Sequence, residues 1–413
     1  MRWKSLAPGM VLLLVVSAGC AGASQPAASA IPAQISIGTL YASSGSFATS
    51  SGAQYAGLQY WAKEINAAGG VQVAAYQKKI PVKIVAYNDQ SSATTATTLY
   101  DQLITQDHVN LLVADFGSVL TSVAVPIAQE HKMVLFDVTG TGASFFTPNN
   151  PYLVLTSLPT SAVWPDTLAQ FLLAQHIAKI AILYDSNDFT QSQATTLHAQ
   201  LAKGGVTPVY YSATPTNTTS YGTLLHTIAA TNPDAVIEFG YNTNDIPFLQ
   251  ALPANGLKFK MVFTIFPGQL FDLILKAVGP QALAYTYTYP TPPLVKYNTV
   301  NYGPGIDTFS QQFQAATGSA PNFLNVAGYN AGLVIQDTLE HAKNLDQQTL
   351  RQTVASLSGK LSTLDGPFAI DATGAQIGEP LPVAQLVPSG NTDKIVVVYP
   401  PSVATGSAVY PAP

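Results

Sequence analysis

Cysteine is nearly missing from this chain: one residue in 413, Cys20. A lone thiol cannot close an internal disulfide, so a packed core has to hold the fold. Charge is scarce as well, at 9% of residues, and Lys+Arg 17 against Asp+Glu 22 leaves a formal net charge of −5. Arginine occurs only at Arg2 and Arg351. Nucleic-acid binding and polyphosphate clamping both rest on clustered basic side chains, arginine above all. Neither class fits this composition. No apolar run approaches the roughly 20 residues of a membrane-spanning helix. The six histidines (His108, His131, His176, His198, His226 and His341) are scattered without the spacing of a metal motif. No G-x-S-x-G elbow and no H-E-x-x-H pair is present. Gly140–Phe145, "GTGASF", lacks the third glycine of a dinucleotide fingerprint and follows a fourth strand instead of a first. No metal, no cofactor and no catalytic residue is expected, and the chain does not read as an enzyme.

What is plentiful is apolar: 47% of residues are hydrophobic, in a chain long enough for two ordinary domains. The N-terminus carries Arg2 and Lys4, then the short run Met10–Val16, then "SAGC" at 17–20. This reads as a signal peptide over 1–19. The position of Cys20 resembles the bacterial lipobox, with Ser17 where leucine is usual, and implies lipidation at Cys20. Residues 20–33 are rich in Ala, Ser and Pro and read as a flexible tether. The expected location is the outer face of a membrane, reached through the N-terminal lipid.

Beyond residue 34, strand-like and helix-like segments alternate. Strands are expected at 35–41, 82–87, 109–115 and 133–138, with helices at 53–70 and 93–106 and after Ser118. Gly69-Gly70 stops the first of these helices. A second round follows from Tyr152: strands at 152–157, 179–185, 208–212, 234–240 and 258–265, with helices between them. Residues 304–357 read as mostly helical, and the final stretch as a hairpin turning at "PSGN", 388–391. Parallel strands need crossover helices of this length, so the fold class is α/β with parallel-type sheets.

One junction stands out. In Leu111–His131 a buried strand hands over to a helix through Phe116-Gly117-Ser118. Free backbone N–H groups point outward there, and anions bind well. Ser118 either caps its helix only, or caps it and meets a ligand.

The order of "ISIGTLYASSGSFATSSGAQYAGLQYWAKEINAAGGV", "VAYNDQSSATTATTLYDQLITQDHVNLLVADFGS" and "VAVPIAQEHKMVLFDVTGTG" resembles the type I periplasmic binding proteins. Within them it looks like the leucine/isoleucine/valine-binding branch that serves ABC importers. The resemblance implies two Rossmann-like lobes joined by three crossovers, with a ligand cleft between them. It implies lobe 1 at 34–157 plus 287–342, lobe 2 at 158–286 plus 343–403, and a tail at 404–413. Carried over position by position, it implies ligand contacts from Ser118, Thr139, Gly140 and Thr141, and from Ser44, Phe47 and Ser51 in the first loop. The second lobe would add Phe189, Tyr241 and Phe266. Amino-acid binders place an acid for the ammonium in the loop after the fifth strand of the second lobe. Here that place holds Ile265 or Phe266. A buried ammonium without a counter-charge is costly, so a carboxylate lacking an amine fits better, unless Asp185, Asp188, Glu238 or Asp245 supplies the charge.

The expected partners are a small-molecule ligand and the permease subunits of an ABC importer, with a monomeric receptor and no nucleic acid. A sensor of the same fold coupled to a membrane signalling protein is the alternative, and an extracellular α/β enzyme a third.

Overall fold

The computed structural model describes Met1, Trp3, residues 31–378 and residues 381–413. Cys20, the expected signal peptide beyond Trp3 and the tether up to residue 30 lie outside the described residues. All that follows concerns residues 33–413, which pack as one unit.

The first round of Val- and Ile-rich segments builds a parallel sheet. Its elements are β1 (Ile35–Tyr41), α1 (Ala48–Ala67), β2 (Val71–Val73), β3 (Lys78–Ile80), β4 (Val82–Asn88), α2 (Ala93–Thr105), β5 (Leu111–Val113), α3 (Gly117–Glu130), β6 (Leu135–Asp137) and β7 (Leu153–Leu155). The strand order is β4-β1-β5-β6-β7, all parallel, with β2 and β3 forming a separate antiparallel hairpin. The chain then crosses to a second lobe: α4 (Pro165–Ala174), β8 (Ile180–Asp185), α5 (Asp188–Lys203), β9 (Tyr210–Thr214), α6 (Gly222–Ala230), β10 (Ala235–Phe239), α7 (Asn242–Ala254), β11 (Met261–Phe263), α8 (Phe271–Val278), α9 (Pro280–Leu283) and β12 (Tyr287–Thr288). Its sheet runs β9-β8-β10-β11-β12, the same winding as the first, and is extended by the antiparallel strands β15 (Val383–Ser389) and β16 (Thr392–Tyr399).

Between these, the chain returns to the first lobe as α10 (Ile306–Thr317), α11 (Phe323–His341) and α12 (Gln347–Leu357), then turns through the small hairpin β13 (Leu361–Thr363) and β14 (Gly366–Phe368). Helix α11 lies directly on α1. Glycines make that approach possible: a Cβ at Gly57 would stand 2.1 Å from the Asn325 carbonyl oxygen, and one at Gly328 would stand 2.0 Å from that of Gln54.

Two lobe boundaries differ from the expectation. β12 still pairs with β11 in the second sheet, so the return crossing comes after Thr288. Helix α12 stays with the first lobe instead of starting the second part of lobe 2. The Gln347 side chain fixes it there, accepting from the Val134 N–H at 2.8 Å and donating to the Asn110 carbonyl at 2.9 Å. The tail lies along the second sheet, with the Val409 N–H bonded to Gln385 and the Ala412 N–H to the Lys260 carbonyl.

Helix α1 also begins at Ala48, five residues before the expected start. The opening "ATSSG" is poor in helix formers, and tertiary packing overrides that local preference. Ser50 and Ser51 are buried there.

Candidate functional site: the cleft between the lobes

In an open parallel sheet the chain reverses winding direction at one point, and a crevice forms outside the strand ends there. In the first sheet that point falls between β1 and β5, and in the second between β8 and β10. The segments leaving these strands carry Phe47, Phe116-Gly117-Ser118, Phe189 and Tyr241. The two crevices face each other.

A small cavity of about 20 Å³ lies between them, lined by Phe116, Gly117, Thr139, Thr141, Leu158, Trp164, Phe189, Tyr241, Phe266, Gln269 and Phe323. None of these side chains is charged. The wall is aromatic. Trp164 meets Phe189 edge-on at 5.2 Å, and Tyr241 lies 5.2 Å from Phe189 and 6.1 Å from Phe266. Two buried polar atoms among the lining residues have no hydrogen-bond partner: Thr141 Oγ1 and Gln269 Nε2.

Helix α3 starts at Gly117, with Phe116 extended in front of it and no side chain capping it. Ser118 is therefore not the cap. Its hydroxyl accepts from the Gly142 N–H at 2.9 Å and so ties the helix start to the loop after β6. The Gly117 N–H donates to Thr139 Oγ1 at 3.1 Å, and that hydroxyl donates to Gln54 Oε1 at 2.6 Å. The Ser118 N–H crosses the cleft and donates to the Tyr241 phenol at 3.2 Å. Gly117 has φ +74°, a left-handed conformation that glycine takes without penalty. A Cβ there would also press on the Tyr241 ring and hydroxyl at 3.2 Å.

Of the residues expected to meet a ligand, Thr139, Thr141, Phe189, Tyr241 and Phe266 line the cavity. Ser118 stands behind it and reaches it through Tyr241. Phe47 packs on the Tyr241 ring at 5.2 Å from outside the lining. Three residues lie elsewhere. Gly140 is pressed against Thr121 of α3, and its N–H donates to Asp137 at 2.7 Å. Ser44 is exposed, and its carbonyl accepts from Ser91. Ser51 turns into the first lobe, donating to Asp115 at 2.5 Å and accepting from the Ala42 N–H. Sequence reasoning missed Phe116, Leu158, Trp164, Gln269 and Phe323. Phe116 was visible inside "DFGS". The others arrive through crossovers and loops whose path no local pattern encodes.

None of the four acids considered for an ammonium lines the cavity. Asp188 accepts from the Ser144 backbone and hydroxyl at 3.0 and 2.8 Å, at the cleft edge. Asp185, Glu238 and Asp245 are buried together behind the second lobe's wall. Burial raises Asp185 to about 8 and Asp245 to about 7. Burial, then repulsion from Asp245, holds Glu238 well above the usual carboxylate range. Asp245 accepts from the Phe266 N–H at 2.7 Å and so fixes part of the wall. Among the described residues no cluster is arranged to hold a metal ion. A larger surface groove of about 580 Å³ sits at the opposite ends of β11 and β12 and contains none of the cleft residues.

Two facing lobes of this winding, closed over a buried cavity, define a type I periplasmic binding protein. The family model described as "Periplasmic binding protein" matches residues 34–392, and the chain belongs to that family, in its leucine/isoleucine/valine-binding branch. It is 23% identical over 344 residues to "Leu/Ile/Val-binding protein homolog 7" of Brucella abortus, covering 81% of this chain and 84% of that one. Its fold is similar to that of a leucine-binding protein from Thermotoga maritima (TM-score 0.76, 16% identity, 89% of this chain and 99% of that one). It is also similar to that of an ABC-transporter solute-binding protein from Rhodopseudomonas palustris, solved in complex with 3,4-dihydroxybenzoic acid (TM-score 0.75, 19% identity, 92% and 99% covered).

Proposed function

We propose that this protein is the extracytoplasmic receptor of an ABC importer, and that its ligand is a small carboxylate with an aromatic or branched apolar body. The observation that carries this reading is the lining of the cleft: aromatic rings, two unpartnered polar atoms and no charged side chain. A carboxylate needs donors, and the unpartnered Thr141 hydroxyl and Gln269 amide offer them beside the start of α3. An α-ammonium needs an acid, and the family resemblance puts Ile265 or Phe266 where amino-acid binders of this branch carry one. A relative solved with a dihydroxybenzoic acid lends support to an aromatic acid. In this reading lipid at Cys20 attaches the protein to the membrane, as the lipobox-like position of that residue implies.

A thermal-shift screen of amino acids, aliphatic and aromatic carboxylates, amides and polyols tests the ligand class. A ligand at a hundredfold excess over Kd stabilises by about 2.7 kcal/mol. The carboxylates are expected to give the largest rise in Tm. A polyol or an amide at the top of the ranking sinks the reading.

A further inference from the structure

We infer that Tyr241 is an internal ligand of the closed cleft, and that an aromatic carboxylate enters by exchanging with its phenol ring. The inference rests on the ligand class proposed above and adds how the site is occupied.

A small-molecule site usually measures roughly 300–1,000 Å³, whereas the cavity here is about 20 Å³. The lobes are nonetheless shut. Ser50 donates to Asn242 across the gap, Ser144 to Asp188, and the Ser118 N–H to Tyr241. Tyr241 supplies the missing volume. It comes from the second lobe, yet its ring sits among Phe47 and Phe116 of the first lobe and Phe189 and Phe266 of its own, at 5.2, 5.9, 5.2 and 6.1 Å. Its oxygen is placed where an anion would be held, at the first amides of α3. Gly117 leaves room for that oxygen and for nothing with a Cβ. An aromatic ring with an oxygen acceptor at one end thus already fills the site. The nearby Thr141 Oγ1 and Gln269 Nε2 remain unpartnered, which a carboxylate's second oxygen would remedy and a phenol does not.

This arrangement lowers the apparent affinity for any ligand by the fraction of molecules in which the ring is displaced. It selects for a ligand of the ring's own shape with a stronger acceptor, because a charge-assisted hydrogen bond outweighs a neutral one.

The test uses the full chain as wild type, Tyr241→Phe and Tyr241→Ala, with benzoate and 4-methylphenol as probes. Removing the competing hydroxyl should let Tyr241→Phe bind benzoate about tenfold more tightly than wild type, the factor for one hydrogen bond of about 1.4 kcal/mol. 4-Methylphenol, the detached side chain, should raise the Tm of Tyr241→Ala and leave that of wild type unchanged. If Tyr241→Ala does not fold, the Tyr241→Phe titration decides. Benzoate binding wild type and Tyr241→Phe equally overturns the internal ligand and leaves the proposed ligand class standing. Failure of both to bind any carboxylate, while Tyr241→Ala takes up 4-methylphenol, sinks the ligand class and supports the internal ligand.

Discussion

Ser118 and Thr141 look interchangeable in sequence, as small hydroxyls at neighbouring strand-to-helix junctions, yet the structure uses them in opposite ways. The Ser118 hydroxyl satisfies the buried Gly142 N–H, while the Thr141 hydroxyl has no partner. Orphaning a buried donor costs about 1–3 kcal/mol. Ser118→Ala should therefore lower the thermal stability of the ligand-free protein. Thr141→Val, which replaces the buried hydroxyl with a methyl and keeps the packing, should not lower it and should instead weaken ligand binding, by about 1.5–3 kcal/mol for a charged ligand. Calorimetry of both variants with and without ligand separates the roles, and a stability loss in Thr141→Val would mean that its hydroxyl bonds within the protein. Gly117→Ala should weaken closure too, since it strains a φ of +74° and crowds Tyr241. The strand-to-helix handover at Gly117-Ser118 was legible in the sequence. It misassigned Ser118 as a cap because a serine one residue inside a helix carries the same local signal as one at its boundary.

At the scale of elements, the contact between α1 and α11 ties the returning chain to the first lobe. It depends on Gly57 and Gly328, whose missing side chains let backbone meet backbone. Gly57→Ala or Gly328→Ala should cost a few kcal/mol through overpacking, seen as a lowered Tm and as proteolytic sensitivity in residues 306–357. Unchanged stability would show that the helices part without loss. Most of the fold was legible at this scale. The repeat of apolar strand and amphipathic helix announced both parallel sheets, and 304–357 is helical as its pattern implied. Some of the short pieces were not legible: β2, β3, β12, β13 and β14 are two or three residues each, and unlike the equally short β5 and β7 they do not sit inside longer uninterrupted apolar runs. The return of α12 to the first lobe rests on Gln347, a long-range partner that no local pattern encodes.

Across the whole molecule, pH and ligand should act on the same wall. Asp185 and Asp245 ionise near 3.8 in an unfolded chain but only near about 8 and about 7 when folded. Raised acids stabilise fully below the unfolded value, and that stability is lost as pH rises through the folded value. Tm should therefore fall as pH climbs from about 4 to about 8, and Asp245→Asn should flatten the slope. Asp365, buried among Ser157 and Asn330 where the chain crosses between lobes, is raised to about 7 and acts in the same direction. A Tm that rises over this range would mean that these carboxyls are charged in the fold. In the proposed reading the cleft takes an acid and offers an ammonium no partner. The most direct measurement is a calorimetric titration of two pairs, 3-phenylpropanoate against phenylalanine and 4-methylpentanoate against leucine. The acid of each pair should bind at least tenfold more tightly, about 1.4 kcal/mol. Tighter binding of the amino acids by the same factor would rule out the acid as the preferred ligand and place a counter-charge in the cleft.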